Sequence, residues 1–319
     1  MEKLDVFLGA MRRSILLLAA VLLLGAFFPS DSVVPATSDD ESEKDRLVVV
    51  TYNIGGRFKK KTADSRAAYL ADVIVRPAPD LVFLQECTKK DHDSLKQALG
   101  MKYTFFIPYQ GKGKSGLAVL SIHPLSLRDV HFFTSSTEGL GFVLCDVVIQ
   151  GHTIHLANAH LDRIQRIRAK EAMPHITWKT ALDVVIKELS SETRRCEQVT
   201  TLLERLRAWN SNPVILAGDF NTIPFATAIR KVQDRFRDVL WPSLDYFNPT
   251  YKDLGFLMKP RIDYIFHSPG ISTEASGIIR SGPGDHYPVW AELIVHPGNG
   301  ERRYVLESKG AKALDRLES

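Results

Sequence analysis

Little in this 319-residue sequence offers a covalent or repeating framework. It holds three cysteines, Cys87, Cys145 and Cys196. The number is odd and no two lie close together, which excludes a disulfide scaffold and a CxxC zinc or redox site. No repeat of fixed period occurs, so a solenoid or propeller array is excluded. Neither charge dominates: 41 basic residues face 37 acidic ones. Beyond one segment near the amino terminus there is no long apolar run, which excludes a polytopic membrane protein. With 45% hydrophobic and 24% charged residues, the composition is that of an ordinary globular chain. At this length it can bury a full core without staples.

The net charge of +4 is unevenly placed. Residues 1–46 carry five basic and eight acidic side chains, and the remainder is basic by seven. Such a balance suits an anionic partner without requiring one. Residues 14–28, SILLLAAVLLLGAFF, follow Arg12 and Arg13. They are short of the roughly 20 residues a spanning helix needs. A basic start, an apolar middle and a polar break are the layout of a signal peptide, with a small-residue cleavage site after Ala36. An uncleaved signal anchor is the alternative. Residues 1–36 are therefore expected to export or tether the chain and to place the rest outside the cytoplasm. An acidic, disordered linker is expected over 37–46, a catalytic domain over 47–297, and a charged tail over 298–319.

From Leu47 the pattern changes. LVVVTYNI (47–54), LVFLQE (81–86) and PVILAGD (213–219) read as buried strands. Shorter β-rich runs follow at 103–107, 116–122, 125–133, 141–149 and 152–160, and late strands at 261–267 and 287–295. Helices are expected over 64–76, ended by Pro77, and near 225–234. A long helical stretch is expected with Trp178, Leu182, Val185, Ile186 and Leu189 on one face and Val199, Leu202, Leu203, Leu206 and Trp209 on another. Strand groups with intervening helices predict an α/β or α+β domain built from stacked sheets.

Several of these strands end on polar residues, which a bland core would not require. Asn53 ends the first and Glu86 the second. Asn158 and His160 end TIHLANAH, and Asp219 and Asn221 stand in GDFN. Residues two apart on a strand face the same way, so Asn158 and His160 project together. Asp263 lies in RIDYIF, and Asp285 and His286 lie in GDHYPV. Singly, each has an ordinary structural explanation. Together, buried carboxylates are costly unless paired or metal-bound. Oxygen donors without cysteine favour a hard cation such as Mg²⁺ or Mn²⁺ over zinc, and two histidines add acid–base capacity near neutral pH. GKGKSG (111–116) looks like a phosphate-binding loop, but Pro108 stands where the first glycine of that motif belongs.

The sequence resembles the endonuclease/exonuclease/phosphatase superfamily, also called deoxyribonuclease I-like. The likeness runs through TYNIGG (51–56), LQE (84–86), SGLAVLS (115–121), ANAHL (157–161), RRCEQ (194–198), GDFNTIP (218–224), RIDYIF (261–266) and GDHYPV (284–289). It implies a four-layer αββα sandwich with two mainly antiparallel sheets face to face, and metal-dependent hydrolysis of a phosphate ester. By the same resemblance, Glu86, Asn53 and Asp285 would hold Mg²⁺ or Mn²⁺. Asp219 and Asn221 would orient the attacking water and a phosphate oxygen. His286, fixed by Asp263, would be general base or phosphate-stabilising imidazole, and His160, supported by Asn158, the second imidazole. The pattern departs in three places. Gly284 stands where Ser or Thr is usual, His123 where Arg is usual, and no acid lies at Tyr103–Tyr109 to partner His160.

Two basic clusters flank the expected site: Arg57, Lys59, Lys60 and Lys61, and Arg163, Arg166, Arg168 and Lys170. Arg57, Lys59 and Lys60 are the expected substrate contacts. The expected partner is an anionic phosphate ester, nucleic acid or a phospholipid headgroup, acting on a monomer that residues 14–28 could tether to a membrane. A lipid phosphodiesterase or small-molecule phosphatase is the alternative activity. A non-catalytic phosphate-binding protein is the third reading, disfavoured because the whole polar set is present.

Overall fold

The structure, a computed structural model, describes residues 45–55, 63–111, 113–163, 185–209, 213–252 and 259–296. The chain divides into two units, Met1–Glu43 and Lys44–Ser319, and the described residues all belong to the second. The leader, most of the linker, the charged tail, the Arg57–Lys61 cluster, Arg166, Arg168, Lys170, Trp178 and Leu182 lie outside them. No helix among the described residues is long and apolar enough to cross a membrane.

Two six-stranded sheets carry the fold. The first contains β1 (Asp45–Asn53), β2 (Leu81–Thr88), β3 (Tyr103–Pro108), β4 (Ser115–Ser121), β11 (Ile271–Ile278) and β12 (Val289–Val295), in the order β11-β12-β1-β2-β4-β3. The second contains β5 (Leu125–Phe132), β6 (Gly141–Ile149), β7 (His152–His160), β8 (Val214–Asp219), β9 (Arg237–Asp238) and β10 (Asp263–His267), in the order β5-β6-β7-β8-β10-β9. Only β1–β2 and β7–β8 pair in parallel, so both sheets are mainly antiparallel. Helices α1 (Ala63–Ile74) and α2 (Lys89–Ala98) follow strands of the first sheet, and α3 (Arg194–Leu206) and α4 (Thr227–Gln233) flank β8 of the second.

Strand alternation explains the four layers. In β1, β2, β7 and β8, Leu47, Val49, Leu81, Phe83, Ile154, Leu156, Ile215 and Ala217 pack together between the sheets. The alternate residues Val82 and Leu84 join Leu70, Val73, Ile74 and Leu95 of α1 and α2. Val214 and Leu216 join Val199, Leu202, Ile229 and Val232 of α3 and α4. Each sheet is apolar on both faces, which is why its central strands read as continuous hydrophobic runs.

The same alternation builds the site. The row that is apolar at one end of the inter-sheet core turns polar at the other: Leu47-Val49-Thr51-Asn53, Leu81-Phe83-Gln85, Ile154-Leu156-Asn158-His160 and Ile215-Ala217-Asp219. Asn158 closes this polar layer. Its Oδ1 accepts from Gln85 Nε2 at 2.7 Å, and its Nδ2 donates to the carbonyls of Leu84 at 3.1 Å and Ala118 at 2.9 Å. It therefore ties the two sheets together and makes no hydrogen bond to His160, a correction to its expected supporting role. Asn158→Ala should cost about 1–3 kcal/mol, because it strands buried partners on the opposite sheet. Urea denaturation of the purified chain measures this.

Some elements differ from the sequence reading. The α2 helix was not anticipated, although Thr88 and Asp91 form a reciprocal capping box at its start. Strands β9 and β11 were likewise unread; β11 is half-exposed at the edge of its sheet. Residues 185–190 are helical, but Ile186 is exposed rather than on the packed face. The three cysteines are buried and free.

Candidate active site

Glu86 reaches the polar end of the core by an irregularity. Regular alternation after Gln85 would turn its side chain outward with Leu84. Instead the β2–β4 register shifts between Leu84 and Cys87, and Glu86 adopts φ +53°. This bulge re-aims the carboxylate inward. Gly55 makes room for it: a Cβ there would lie 2.1 Å from Glu86 Oε2. Asn53 Nδ2 then bridges two carboxylates, donating to Glu86 Oε1 at 3.3 Å and Asp219 Oδ2 at 2.9 Å. Its Oδ1 accepts from Gly55 N at 2.9 Å. In this arrangement Asn53 offers the pocket N–H rather than the oxygen a metal would need.

Asp219 is the meeting point. Besides Asn53, it accepts at Oδ1 from the Asn221 backbone N–H at 2.9 Å. Its Oδ2 lies 3.4 Å from His160 Nε2 and 3.9 Å from His286 Nε2. Asn221 sits at φ +48°, a conformation asparagine tolerates, and donates to the Leu161 carbonyl at 2.9 Å. His286 Nδ1 faces Asp263 Oδ2 at 2.9 Å, the pairing expected from the sequence. Asp263 is held in turn by its backbone N–H to Thr250 Oγ1 at 3.1 Å. The Tyr251 ring packs edge-on against His286.

Burial and neighbours drive these groups apart. Burial lowers His160 to about 3, Glu86 opposing and Arg163 and His286 reinforcing, so the imidazole is neutral. Burial would also lower His286, but Asp263, Asp219 and Asp285 outweigh it and lift it to about 9. Asp219 is pushed up to about 7 by burial and by the Asp263 charge, with His286, Asn53 and Asn221 opposing. For Glu86 burial works against the charge, but His160, Arg163 and Asn53 together hold its carboxyl below the ordinary value. The His286–Asp263 pair carries a pH signature. In EDTA-treated protein its stabilising contribution should be complete below about pH 6.5, the value of a free imidazole. It should fade as pH rises through about 9. Urea midpoints of wild type and His286→Asn against pH should converge above that value.

Of the expected residues, Asn53, Glu86, His160, Asp219, Asn221, Asp263 and His286 are joined by these contacts. Asp285 is half-buried beside His286, its carbonyl accepting from Lys252 N at 2.7 Å. Arg57, Lys59 and Lys60 lie outside the described residues. Asp219, Asp263 and His286 bring ligand atoms within 4.8 Å of one another, a cluster capable of holding a metal ion. Glu86 offers a further hard-cation donor: an anionic carboxylate whose side chain is 20% exposed. The donor chemistry thus fits a divalent cation. His123 sits at the opposite end of the sheet, beyond Ser121, which pairs with Leu81 at the start of β2. Gly284 is explained by crowding, since a Cβ there would lie 2.9 Å from the Gly55 carbonyl.

One neighbour of the site, Tyr109, was missed, and Arg163 was read only as a member of a flanking basic cluster. Tyr109, just past β3, hydrogen-bonds His160 Nδ1 at 2.7 Å, filling the role for which an acid was sought. Arg163 forms a close ion pair with Glu86 Oε1. The loop carrying Arg163 is fixed by α3: Gln198 accepts from Asp162 N at 3.0 Å, and Arg195 donates to the Asp162 carbonyl at 3.2 Å. Arg195 also pairs with buried Glu188, which accepts from Thr222 Oγ1 at 2.9 Å. The RRCEQ motif therefore braces the site without entering it.

An αββα sandwich with two imidazoles and several carboxylates at one end of its inter-sheet core is a phosphoesterase fold. The sequence matches the model of the Endonuclease/Exonuclease/phosphatase family over residues 50–286, and the chain belongs to that family. A comparison with curated proteins returns no match. Similar solved structures include D. rerio TDP2 complexed with a single-strand DNA product, with TM-score 0.59, 18% identity, and coverage of 78% of this chain and 98% of that one. Humanized D. rerio TDP2 gives TM-score 0.57 at 15% identity, covering 78% and 99%. A family protein from Bacteroides thetaiotaomicron gives 0.54 at 19%, covering 78% and 98%.

Proposed function

We propose that this chain is a divalent-metal-dependent phosphodiesterase that hydrolyses its ester by direct attack of water. The observation that carries the reading is the convergence on Asp219 of Asn53 from the first sheet and of His160 and His286, all within 3.9 Å. A Mg²⁺ or Mn²⁺ ion held by Glu86, with Asp285 nearby, would offset the phosphate's negative charge. Asp219 is placed to take a proton from the attacking water as its oxygen bonds to phosphorus. The ester P–O bond breaks, and the leaving oxygen takes a proton from His286, which Asp263 orients. His160 and Asn221 contact the phosphoryl oxygens. No covalent nucleophile is needed.

Nucleic acid is the favoured substrate. Support comes from the basic domain and from the structural likeness to TDP2, one structure of which holds a single-strand DNA product. A second reading, a lipid headgroup, is favoured by one feature. Trp241, Leu244 and Phe247 are 57%, 92% and 59% exposed. The chain leaving β9 runs back along β10 toward Asp263, with Val239 N bonded to the Ile265 carbonyl and Arg261 to that of Tyr246. These exposed apolar side chains lie on the segment that leads to Thr250 and Tyr251, which contact Asp263 and His286, and would suit an interfacial surface. We further propose that residues 1–36 export the chain or anchor it through 14–28. A reporter fused after Ser42 should be active only in an exported format.

The test is a hydrolysis panel with Mg²⁺ or Mn²⁺: plasmid DNA, RNA, sphingomyelin, inositol phosphates and an aryl phosphodiester. Turnover of at least one, lost in EDTA and in His286→Ala and Glu86→Ala, is expected. A folded wild type that turns over none would overturn the reading.

A further inference from the structure

We infer that Tyr109 is a positioning residue that fixes His160 in the Nε2–H tautomer and so makes it a donor to a phosphoryl oxygen. The inference rests on the phosphoesterase reading for its consequence, but its geometry stands alone. Tyr109 leaves β3 at the site end, where its N–H bonds the Ser115 carbonyl at 3.0 Å. Its ring packs with Leu117, Leu140 and Val143, so the hydroxyl has little freedom.

That hydroxyl meets two groups. The Glu86 backbone N–H donates to it at 3.2 Å, and His160 Nδ1 lies 2.7 Å away. A phenol oxygen carries one hydrogen of its own. With the Glu86 N–H already donated to the oxygen, that hydrogen finds its acceptor in Nδ1. Were Nδ1 protonated instead, two N–H groups would point at one oxygen, and the buried phenol hydrogen would have no acceptor among the described residues. Satisfying every group therefore puts the imidazole proton on Nε2.

Nε2 is the atom that faces Asp219. It is buried and makes no hydrogen bond; Asp219 Oδ2, at 3.4 Å, lies outside hydrogen-bonding geometry. An oriented N–H without an acceptor, beside the group placed to deprotonate water, is suited to an oxygen that arrives with the substrate. A carboxylate at position 109 would accept a hydrogen bond from Nδ1–H and so hold a neutral ring in the opposite tautomer. The hydroxyl also anchors the bulge that carries Glu86, linking its position to that of His160.

The experiment is ¹⁵N NMR of the histidine rings in the full chain, with His160 assigned through its backbone, alongside steady-state kinetics of Tyr109→Phe. Wild type should show Nε2 protonated and Nδ1 bare, and Tyr109→Phe should give a mixture of tautomers. Turnover in the variant should fall about 10- to 100-fold with KM nearly unchanged. In a His160→Ala background, Tyr109→Phe should cost little more. A wild-type His160 with its proton on Nδ1, or a tautomer indifferent to Tyr109→Phe, would overturn the inference. The wild-type spectrum needs no variant, so it decides even if Tyr109→Phe fails to fold. An Nε2–H tautomer in a chain that hydrolyses nothing would sink the phosphoesterase reading and leave the tautomer standing; turnover with an Nδ1–H ring would do the reverse.

Discussion

Asp219→Asn should lower phosphodiester turnover by about 10²- to 10⁴-fold, the range for loss of a positioned acid–base group. The substitution keeps the shape of the side chain. Its amide oxygen can still accept from Asn53 or Asn221, whose N–H groups lie 2.9 Å from the carboxylate now. What is lost is the negative charge opposite both imidazoles and the ability to accept a proton from water. Stability should move the other way. The wild-type carboxyl is raised to about 7 by burial and by Asp263, so the folded state opposes its charge. Removing it should leave the urea midpoint unchanged or higher, a separation of activity from stability typical of functional charges. A fall in activity matched by a fall in stability would point to a structural role.

The largest effect on stability is expected at Arg261. Its side chain is fully buried, pairs closely with Asp238, and lies between the rings of Tyr246 and Tyr264, with 4.7 and 4.3 Å to their centroids. Arg261→Met leaves Asp238 buried without its counter-charge, which costs about 3–5 kcal/mol. That is a large part of the stability of an ordinary domain, roughly 5–15 kcal/mol. Adding Asp238→Leu removes the stranded charge and should recover most of the loss. Urea midpoints of the wild type, both single variants and the double variant form the cycle that tests this. Because Arg261 supports the Tyr246 carbonyl and precedes Asp263 by two residues, the single variant should also disturb the Asp263–His286 pair.

How much of this was legible in the sequence follows from which physical signal each residue carries. Stacked sheets were legible because the central strands are apolar on both faces and end on polar residues; the four-layer sandwich followed from the family motifs. The Asp263–His286 pair followed from the family motifs, and the structure bears it out. Asn158 was misread because alternation gives the face of a side chain but not its partner. It shares a face with His160, but its hydrogen bonds cross to the other sheet. Glu86 was identified by motif, while the bulge that turns it inward is a register shift that no local pattern announces. Tyr109 escaped because an acid was sought; a phenol on a β-rich run reads as core. The α2 helix escaped because its residues, KKDHDSLKQA, show little apolar periodicity and bury only Asp91, His92 and Leu95.

In the proposed function these residues form one metal-dependent hydrolytic centre. Its most direct test is turnover of an aryl phosphodiester by the purified chain after EDTA treatment, before and after Mg²⁺ or Mn²⁺ is restored, with Glu86→Gln measured alongside. No turnover is expected without metal, with recovery on its return and a Glu86→Gln chain that folds but responds weakly at the same metal concentration. Hydrolysis that persists in EDTA, or that Glu86→Gln leaves unchanged, would contradict that reading.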